Sequence, residues 1–359
     1  MANIFSALGL SDTDRSFVNT IGQRAVFDAA VQLLQQYNAG LQAAMSAFVE
    51  RATPDHKLRY YLPGGGRLQR RGGQAQSGAN KAYGSWDVAL PLEDFGVQLA
   101  GDDVTLGYMS LQQFQRHLDT IMVQDTNTVR FEMLRAIFNN TQRTFVDPQW
   151  GTLLIEPLAN ADSVVYPPVE GSETEATDDH YLESNYAASN ISDTNNPIVT
   201  LRDEIEEHFG GGRQGGSNVV VFINNAQTAK VTALADFNKV GQNFVTLGQD
   251  TAVANLNVPQ VPGKLIGYCN GAWVSEWRWI PSGYMLGLHL DAPKPLLVRE
   301  DPAETNLGTG LQLVSQDEDT PFVASHYRHR FGMGVGNRLN GAVMELGTGG
   351  SYTVPSAYA

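Results

Sequence analysis

The stretch SLQQFQRHLDTIMVQDTNTVRFEMLRAIFNNT, residues 110–141, decides the fold and contains neither glycine nor proline. Its apolar residues fall mostly three or four positions apart, which predicts one apolar stripe along a long amphipathic helix. Ser110 is placed to cap the first turn, and Asp147-Pro148 lies just beyond the end. At 1.5 Å per residue this helix would be on the order of 50 Å long, too long for one small core to surround. We therefore predict a spine on which other segments pack, through Leu111, Phe114, Leu118, Ile121, Met122 and Phe138.

Length, composition and net charge limit the class of protein that could contain this spine. A chain of 359 residues with 42% hydrophobic content can bury a substantial core, and its length predicts about two domains. With 38 acidic and 24 basic residues the net charge is −14, which argues against a chain that grips nucleic acid. A protein that encloses a polyanion without adhering to it would have the same balance.

The single cysteine, Cys269, excludes an intrachain disulfide and fits a chain that folds in a reducing cytoplasm. The sequence has no basic start followed by an apolar run and cleavage site, so no secretory signal is predicted. It also has no run of roughly 18 apolar residues, so we expect no membrane span.

The segment before the spine divides into a helical arm and an extended hairpin. Residues 11–51 repeat apolar residues at helical spacing, with interruptions expected at Gly22 and Gly40. Between residues 53 and 107, short apolar runs around Tyr60 and Trp86 flank a glycine-rich stretch, which predicts a long hairpin. A hairpin of this length has no core of its own.

The part of the hairpin from His56 to Trp86 is basic, although the whole chain is acidic. No acidic residue occurs between His56 and Trp86, and the basic residues there are Lys57, Arg59, Arg67, Arg70, Arg71 and Lys81. This contrast indicates that the hairpin lies on the acidic surface of another copy of the chain. A solvated loop is the alternative interpretation. Nucleic-acid contact is less favoured, because the aromatic residues are not interleaved with the arginines as a stacking surface would require.

Residues after the spine predict a second domain. Residues 170–183 carry six acids and no lysine or arginine, which indicates a solvated acidic loop more than a metal site. A helix after Pro197, stopped by glycines 210–212, a buried strand at 219–223 and a helix at 226–237 would form a compact α/β element. Further strands are expected at 264–268, 272–280 and 284–290, with Trp273, Trp277 and Trp279 as core and rim packing.

The last predicted element is a long strand within residues 321–346, with one mostly polar face. A turn at Asn340-Gly341 would precede a final strand at 342–346. The small, polar tail at 347–359 is expected to be mobile.

No pattern in the chain predicts catalysis, so we expect no catalytic, cofactor or metal residues and no enzyme. The glycines at 332, 334 and 336 superficially resemble a nucleotide-binding set, but no helix pattern follows them. There is no G-x-S-x-G elbow, and Cys269 has no family signature around it. His326 and His329 would lie on opposite faces of a strand, which argues against joint metal ligation.

This order of segments resembles the major capsid proteins of tailed bacteriophages, an α+β class with the Hong Kong 97-like fold. The resemblance is strongest in the hairpin followed by residues 110–141 and in the stretches IPSGYMLGLHL and FVASHYRHRFGMGVGNRLNGAVMEL. It implies an N-terminal arm (1–54), an E-loop hairpin (55–107), a P-domain with the spine helix and long strands (108–149 and 322–346), an α/β A-domain (150–321) and a C-terminal tail (347–359).

The resemblance implies a structural protein that forms pentamers and hexamers of an icosahedral shell around double-stranded DNA. Its E-loop would contact a neighbouring subunit through the basic residues above and Trp86. Portal, scaffolding and decoration proteins would be its partners, with assembly in the host cytoplasm and a final location in the virion capsid. We expect no room for a fused scaffold domain. Members of the family can join E-loop lysines to asparagines; Lys81 with Asn337 or Asn340 would be the residues here, but no activating carboxylate is identifiable.

Two other classes of protein stay open. An encapsulin-type nanocompartment shares this fold and would enclose an enzyme cargo in place of a genome. An unrecognised α/β enzyme is the second, and the lack of any nucleophile, metal or cofactor pattern argues against it.

Overall fold

The computed structural model describes residues 17–68, 84–99, 108–209, 218–239, 261–316 and 325–359. Its α-helices are Val18–Ile21, Gln23–Met45 (the arm helix), Leu111–Phe138 (the spine helix), Pro197–Phe209 and Asn225–Val231, with 3-10 helices at Ala188–Asn190 and Ala303–Thr305. The strands are β1 (Val49–Thr53), β2 (Lys57–Tyr61), β3 (Ser85–Ala89), β4 (Glu93–Leu99), β5 (Arg143–Asp147), β6 (Gly151–Ile155), β7 (Tyr181–Glu183), β8 (Val219–Ile223), β9 (Asn238–Lys239), β10 (Lys264–Cys269), β11 (Ala272–Glu276), β12 (Tyr284–His289), β13 (Leu296–Arg299), β14 (Gln312–Gln316), β15 (Ser325–Val335) and β16 (Ala342–Glu345). None of the helices within these ranges is both long and apolar enough to cross a bilayer.

The spine helix begins where the sequence predicts. The Gln113 amide donates to the Ser110 hydroxyl at 3.2 Å, and the Ser110 amide donates to the Gln113 side chain at 3.0 Å. This reciprocal capping box satisfies two amide groups that the first turn leaves without helical partners. The helix ends at Phe138, three residues before Thr141, so its 28 residues span about 42 Å.

The two halves of the spine helix pack in different cores. The N-terminal half packs with the arm helix, and the C-terminal half lies against the larger sheet. Five of the six predicted packing residues are at most 5% exposed, and Met122 is half-buried: Leu111, Phe114, Leu118 and Ile121 lie in the first core, Phe138 in the second. One helix therefore connects two apolar clusters.

The larger sheet has seven strands in the order β7-β16-β12-β8-β11-β10-β9. Strand β8 is fully buried between parallel β11 and antiparallel β12. Helix Pro197–Phe209 packs on one face and the spine helix on the other, which explains the uninterrupted apolar run of β8. The predicted α/β element is confirmed, although its second helix ends at Val231 and glycines 210–212 lie outside the described residues.

The smaller sheet is built around β15, which pairs with β13, β14 and β4, while β1 pairs with β13. These five strands come from the predicted arm, E-loop, A-domain and P-domain segments. The chain then turns at Gly341, with φ of +124°, so β16 joins the larger sheet. Residues 325–345 thus cross from one sheet to the other.

Two sequence predictions about the termini need correction. Gly22 interrupts the arm with φ of +102°, but Gly40 lies inside the continuous arm helix. The tail is not a mobile appendage, since Tyr358 is 6% exposed and its ring stacks 5.7 Å from that of Phe138. The Tyr352 hydroxyl also donates to the Phe138 carbonyl at 2.7 Å. Aromatic contacts with the end of the spine helix therefore hold a segment whose composition is otherwise small and polar.

The tryptophans pack as the sequence predicts. Trp273 is 9% exposed and Trp277 is half-buried against the core that holds the spine helix. Trp279 is 49% exposed at the rim, with the Arg130 guanidinium 3.3 Å above its ring. This cation–π contact explains the position of the exposed Trp279 indole, and no ligand is needed to explain it.

Candidate subunit interface

The root of the predicted E-loop is an antiparallel pair, β2 with β3, in register from Lys57 opposite Ala89 to Tyr61 opposite Ser85. Its inward residues Trp86 and Val88 are at most 8% exposed and pack with Tyr166 and Leu297 of the same chain. The buried side of the hairpin therefore packs against the body of its own subunit, because a hairpin of this length has no core of its own.

Trp86 is the central residue of this root. Its indole Nε1 donates to the Gly336 carbonyl at 3.2 Å, and its ring lies 5.5 Å from that of Tyr60 and 5.6 Å from that of Tyr166. The structure thus gives Trp86 an intrachain position that leaves only 8% of its surface exposed. Its contact with a neighbouring subunit stays a prediction.

The alternating glycines of β15 and the residue after it have a packing role. A Cβ on Gly332 would overlap the Pro91 carbonyl, and one on Gly334 would lie 2.6 Å from Leu90 Cδ2. A Cβ on Gly336 would lie 2.7 Å from Leu297 Cγ. All three distances are shorter than a carbon atom tolerates, so these glycines let neighbouring strands and the hairpin root approach closely. This use explains the pattern without a nucleotide.

The charges at the root are paired within the hairpin. Arg59 donates to both carboxylate oxygens of Asp87, at 2.5 and 2.9 Å, and the Lys57 ammonium lies 2.7 Å from Asp87. Hydrogen bonds from Arg59 and Lys57 hold the pKa of Asp87 well below its usual range. The acid that satisfies both bases comes one position after the acid-free stretch, so these two cations do not require an acidic partner on a second copy.

Further out, the hairpin contacts the acidic loop of its own chain. Arg67 forms a short ion pair with Glu173, and the Gly65 amide donates to the Glu175 carboxylate at 2.7 Å. Part of the acidic loop therefore binds the hairpin instead of lying free in solvent. This intrachain pairing differs from the expectation that the basic residues meet only a neighbour.

The outermost described residues present apolar surface. Tyr61 is 79% exposed and Leu68 is fully exposed. Arg70, Arg71 and Lys81 lie outside the described residues. Exposed apolar side chains beside basic residues are typical of a surface that contacts another protein.

The histidines of β15 separate as predicted. His326 is exposed, whereas His329 is buried and its Nδ1 lies 2.7 Å from Asp125 Oδ1 on the spine helix. The Tyr37 hydroxyl of the arm helix donates to the other Asp125 oxygen at 2.8 Å. One buried carboxylate thereby joins the arm helix, the spine helix and β15, which is a structural role.

Other groups considered for chemistry are held in unreactive positions. Burial raises the pKa of Cys269 to about 11, and its thiol donates to Asn270 at 3.0 Å. Asn340 is fully buried, and its amide donates to the carbonyls of His289 and Pro293 at 3.0 and 2.8 Å. Asn340 is therefore an unsuitable acceptor for a lysine crosslink.

The sequence interpretation missed a cluster at the end of the acidic loop. Asp178 lies between His180 and His208, which are separated by 28 positions in the chain. Side chains this far apart in sequence carry no spacing signal, since the fold alone brings them together. The prediction of a purely solvated acidic loop is wrong at Asp178, whose side chain is 15% exposed.

Comparison with solved structures identifies the fold. A structure of Mycobacterium phage Patience is similar over 93% of this chain and 91% of that one, with 20% identity and a TM-score of 0.64. The capsid of a native GTA particle matches 85% of this chain and 90% of that one, with 13% identity and a TM-score of 0.48. A virus-like particle from Pyrococcus furiosus matches 89% of this chain and 99% of that one, with 10% identity and a TM-score of 0.42.

No family model matches the sequence, and no curated protein matches it either. The structural similarity, at this level of identity, establishes the fold alone. The chain is a mixed α+β protein whose fold is similar to that of the Mycobacterium phage Patience structure.

Proposed function

We propose that this chain is a major capsid protein with the Hong Kong 97-like fold, which assembles as pentamers and hexamers into an icosahedral shell around double-stranded DNA. The observation that carries the proposal is the similarity to the phage Patience structure over more than nine tenths of both chains. A match of that extent takes in most of both chains, not one widely shared domain.

The hairpin supplies the joining device in this proposal. Its root is fixed in its own subunit through Trp86, while Tyr61 and Leu68 leave apolar surface exposed further out. Arg70, Arg71 and Lys81 would extend this surface onto the acidic flank of the next subunit. Individual contacts of this kind are weak, but a closed shell repeats them many times, and their combined effect is strong.

The remaining parts of the proposal follow from the shell. The net charge of −14 on each chain disfavours tight adhesion of the shell to a polyanion, so the DNA would be enclosed without specific binding. Portal, scaffolding and decoration proteins would be the further partners. Assembly would take place in the host cytoplasm, and the mature location would be the virion capsid. No enzymatic step is part of this role.

The test is assembly of the purified full-length chain, followed by negative-stain electron microscopy and light scattering. We expect closed shells or capsomers from the unchanged chain. Replacing residues 63–81 with a short Gly-Ser linker should leave a folded subunit, measured by circular dichroism, that does not assemble. The control is Arg278→Glu, which changes an exposed arginine outside the hairpin and should assemble normally.

Three outcomes would contradict the proposal. Normal particles from the hairpin replacement would show that the hairpin does not join subunits. Discrete small oligomers from the unchanged chain, with one deep pocket, would favour an α/β enzyme. Particles isolated from the native source that contain protein cargo and no DNA would support the encapsulin-type alternative and overturn the genome-enclosing role.

A further inference from the structure

Asp178, His180 and His208 bring three potential metal ligands to one point, outside the hairpin interface. His180 Nε2 lies 3.3 Å from Asp178 Oδ2, and His208 Nε2 makes a shorter contact with the same oxygen. The three ligand atoms all lie within 4.8 Å of one another. Ligands bound at about 2.0 to 2.1 Å to a tetrahedral Zn²⁺ are separated by roughly 3.3 Å, so the His180 to Asp178 distance already suits such an ion. His208 must move away from Asp178 to become a ligand of the same ion.

The orientation of His180 is fixed from outside the cluster. Its side chain is fully buried, and its Nδ1 lies 2.8 Å from the Gly341 carbonyl oxygen. A carbonyl only accepts hydrogen bonds, so Nδ1 carries the proton and a neutral His180 presents its Nε2 lone pair to the cluster. Metal-binding histidines characteristically have this arrangement, in which the second ring nitrogen donates to a backbone carbonyl.

The three converging atoms can share one cation. Each of them can offer a lone pair, an Nε2 from each imidazole and Oδ2 from the carboxylate, and the two imidazole rings lie 5.3 Å apart. A divalent ion accepts all three lone pairs at once.

The backbone holds the ligands in place before any ion binds. The His180 amide donates to the Ala159 carbonyl at 2.8 Å, and the Val343 amide donates to the His180 carbonyl at 2.8 Å. The Asp179 amide donates to Asp178 Oδ1 at 2.8 Å, which leaves Oδ2 for the cluster. Such supporting bonds are what a preformed metal site requires.

Helix Pro197–Phe209 adds two more carboxylates on the same face. Glu204 and His208 are four positions apart and Glu207 is three from Glu204, so all three project to one side. A carboxylate oxygen of Glu204 and one of Glu207 lie within 4.8 Å of an Asp178 oxygen and of each other.

We propose that Asp178, His180 and His208 bind one divalent transition-metal ion, with Glu204 or Glu207 as the fourth ligand. Two imidazoles and carboxylates are ligands that suit Zn²⁺ and Co²⁺. The ion neutralises the local negative charge and connects the acidic loop to helix Pro197–Phe209 and to Gly341 beside β16.

The experiment uses the full-length chain after chelator treatment and measures Co²⁺ and Zn²⁺ separately. Co²⁺ titration should give one ion per chain and the intense visible absorption of tetrahedral cobalt, which Zn²⁺ then displaces. Zn²⁺ should raise the melting temperature, because it binds the folded chain preferentially. His208→Gln and Asp178→Asn should each weaken Co²⁺ binding at least about tenfold, since each removes a ligand.

Two controls separate the site from general surface binding. His326→Gln removes an exposed histidine on β15, and Glu206→Gln removes an acid on the same helix outside the cluster. Both variants should bind Co²⁺ like the unchanged chain. The proposal is overturned if the unchanged chain takes up no stoichiometric ion, if folded His208→Gln retains full affinity, or if the controls lose affinity equally. Should His208→Gln not fold, stoichiometry and the zinc-dependent melting shift of the unchanged chain decide the question.

Discussion

Gly332→Ala is the substitution that tests most directly how the hairpin root is held. A Cβ at Gly332 would lie 2.9 Å from Pro91 Cγ and closer still to the Pro91 carbonyl oxygen. Because the obstructing oxygen belongs to the backbone, no rotamer change removes the overlap. Strand β15 pairs with β13 at Gly332 and with β4 at the preceding residue, so it has no free side toward which to move.

The expected cost is about 1 to 3 kcal/mol of unfolding free energy, the range for adding a methyl group to a packed site. Gly40→Ala is the matched control, with the same chemical change inside the arm helix. Nothing lies within 4 Å of a Cβ at Gly40, and alanine is the better helix former. That variant should therefore gain about 0.5 to 1 kcal/mol.

The measurement is equilibrium urea unfolding at one protein concentration, followed by circular dichroism. The two substitutions should move the midpoint in opposite directions with similar slopes, because neither changes the surface exposed on unfolding very much. A Gly332→Ala midpoint equal to or above that of the unchanged chain would refute the close-approach explanation and reopen the question of what these glycines do.

Two further predictions concern buried charges. Arg338→Met should cost about 3 to 5 kcal/mol, because fully buried Arg338 donates to the Pro157 and Leu158 carbonyls and to the partly exposed Asp162 carboxylate, and its removal leaves these acceptors without those hydrogen bonds. Exposed Arg278→Met should change stability by less than about 0.5 kcal/mol. Burial alone would raise the pKa of Asp147, but hydrogen bonds from backbone amides and Arg299 lower it below its usual value. Ionised Asp147 therefore stabilises the fold above the unfolded-state pKa of about 4, and this stabilisation is lost as the pH falls through the lower folded-state pKa. In Asp147→Asn, the unfolding free energy should accordingly depend less steeply on pH in the acid range.

Local patterns predicted most of the secondary structure. The spine helix, β8 and the strand pair at the hairpin root depend on periodicity, capping and glycine punctuation, all of which are short-range signals. The predicted break at Gly40 was wrong because a single glycine costs a helix only about 1 kcal/mol, and packing of the arm helix against the spine helix outweighs that cost. The prediction of a mobile tail was wrong because Tyr352 and Tyr358 contact Phe138, which lies more than 200 positions away in the sequence.

The hairpin contacts and the histidine cluster were harder to predict from the sequence, because they also depend on contacts between residues that are distant in the chain. Charge counting found the basic hairpin but could not show that Lys57 and Arg59 share Asp87, or that Arg67 reaches Glu173. It also treated residues 170–183 as one solvated loop, whereas the structure divides them between a hairpin contact and the histidine cluster. Pairings between residues 28 to 110 positions apart depend on tertiary structure.

The unequal strength of the contacts along the hairpin indicates which of them can change on assembly. At the root, Trp86 is buried and hydrogen bonded, and the backbone at Gly332 packs directly against Pro91. Moving this part of the hairpin would therefore expose apolar surface. Further out, Arg67 and Glu173 are 80% and 48% exposed, and an exposed ion pair is worth only about 0 to 1 kcal/mol. A neighbouring subunit can therefore replace the outer ion pair at little cost while the root keeps its position. We accordingly expect Glu173→Gln to leave the subunit's stability unchanged, because the hairpin's orientation is set at the root.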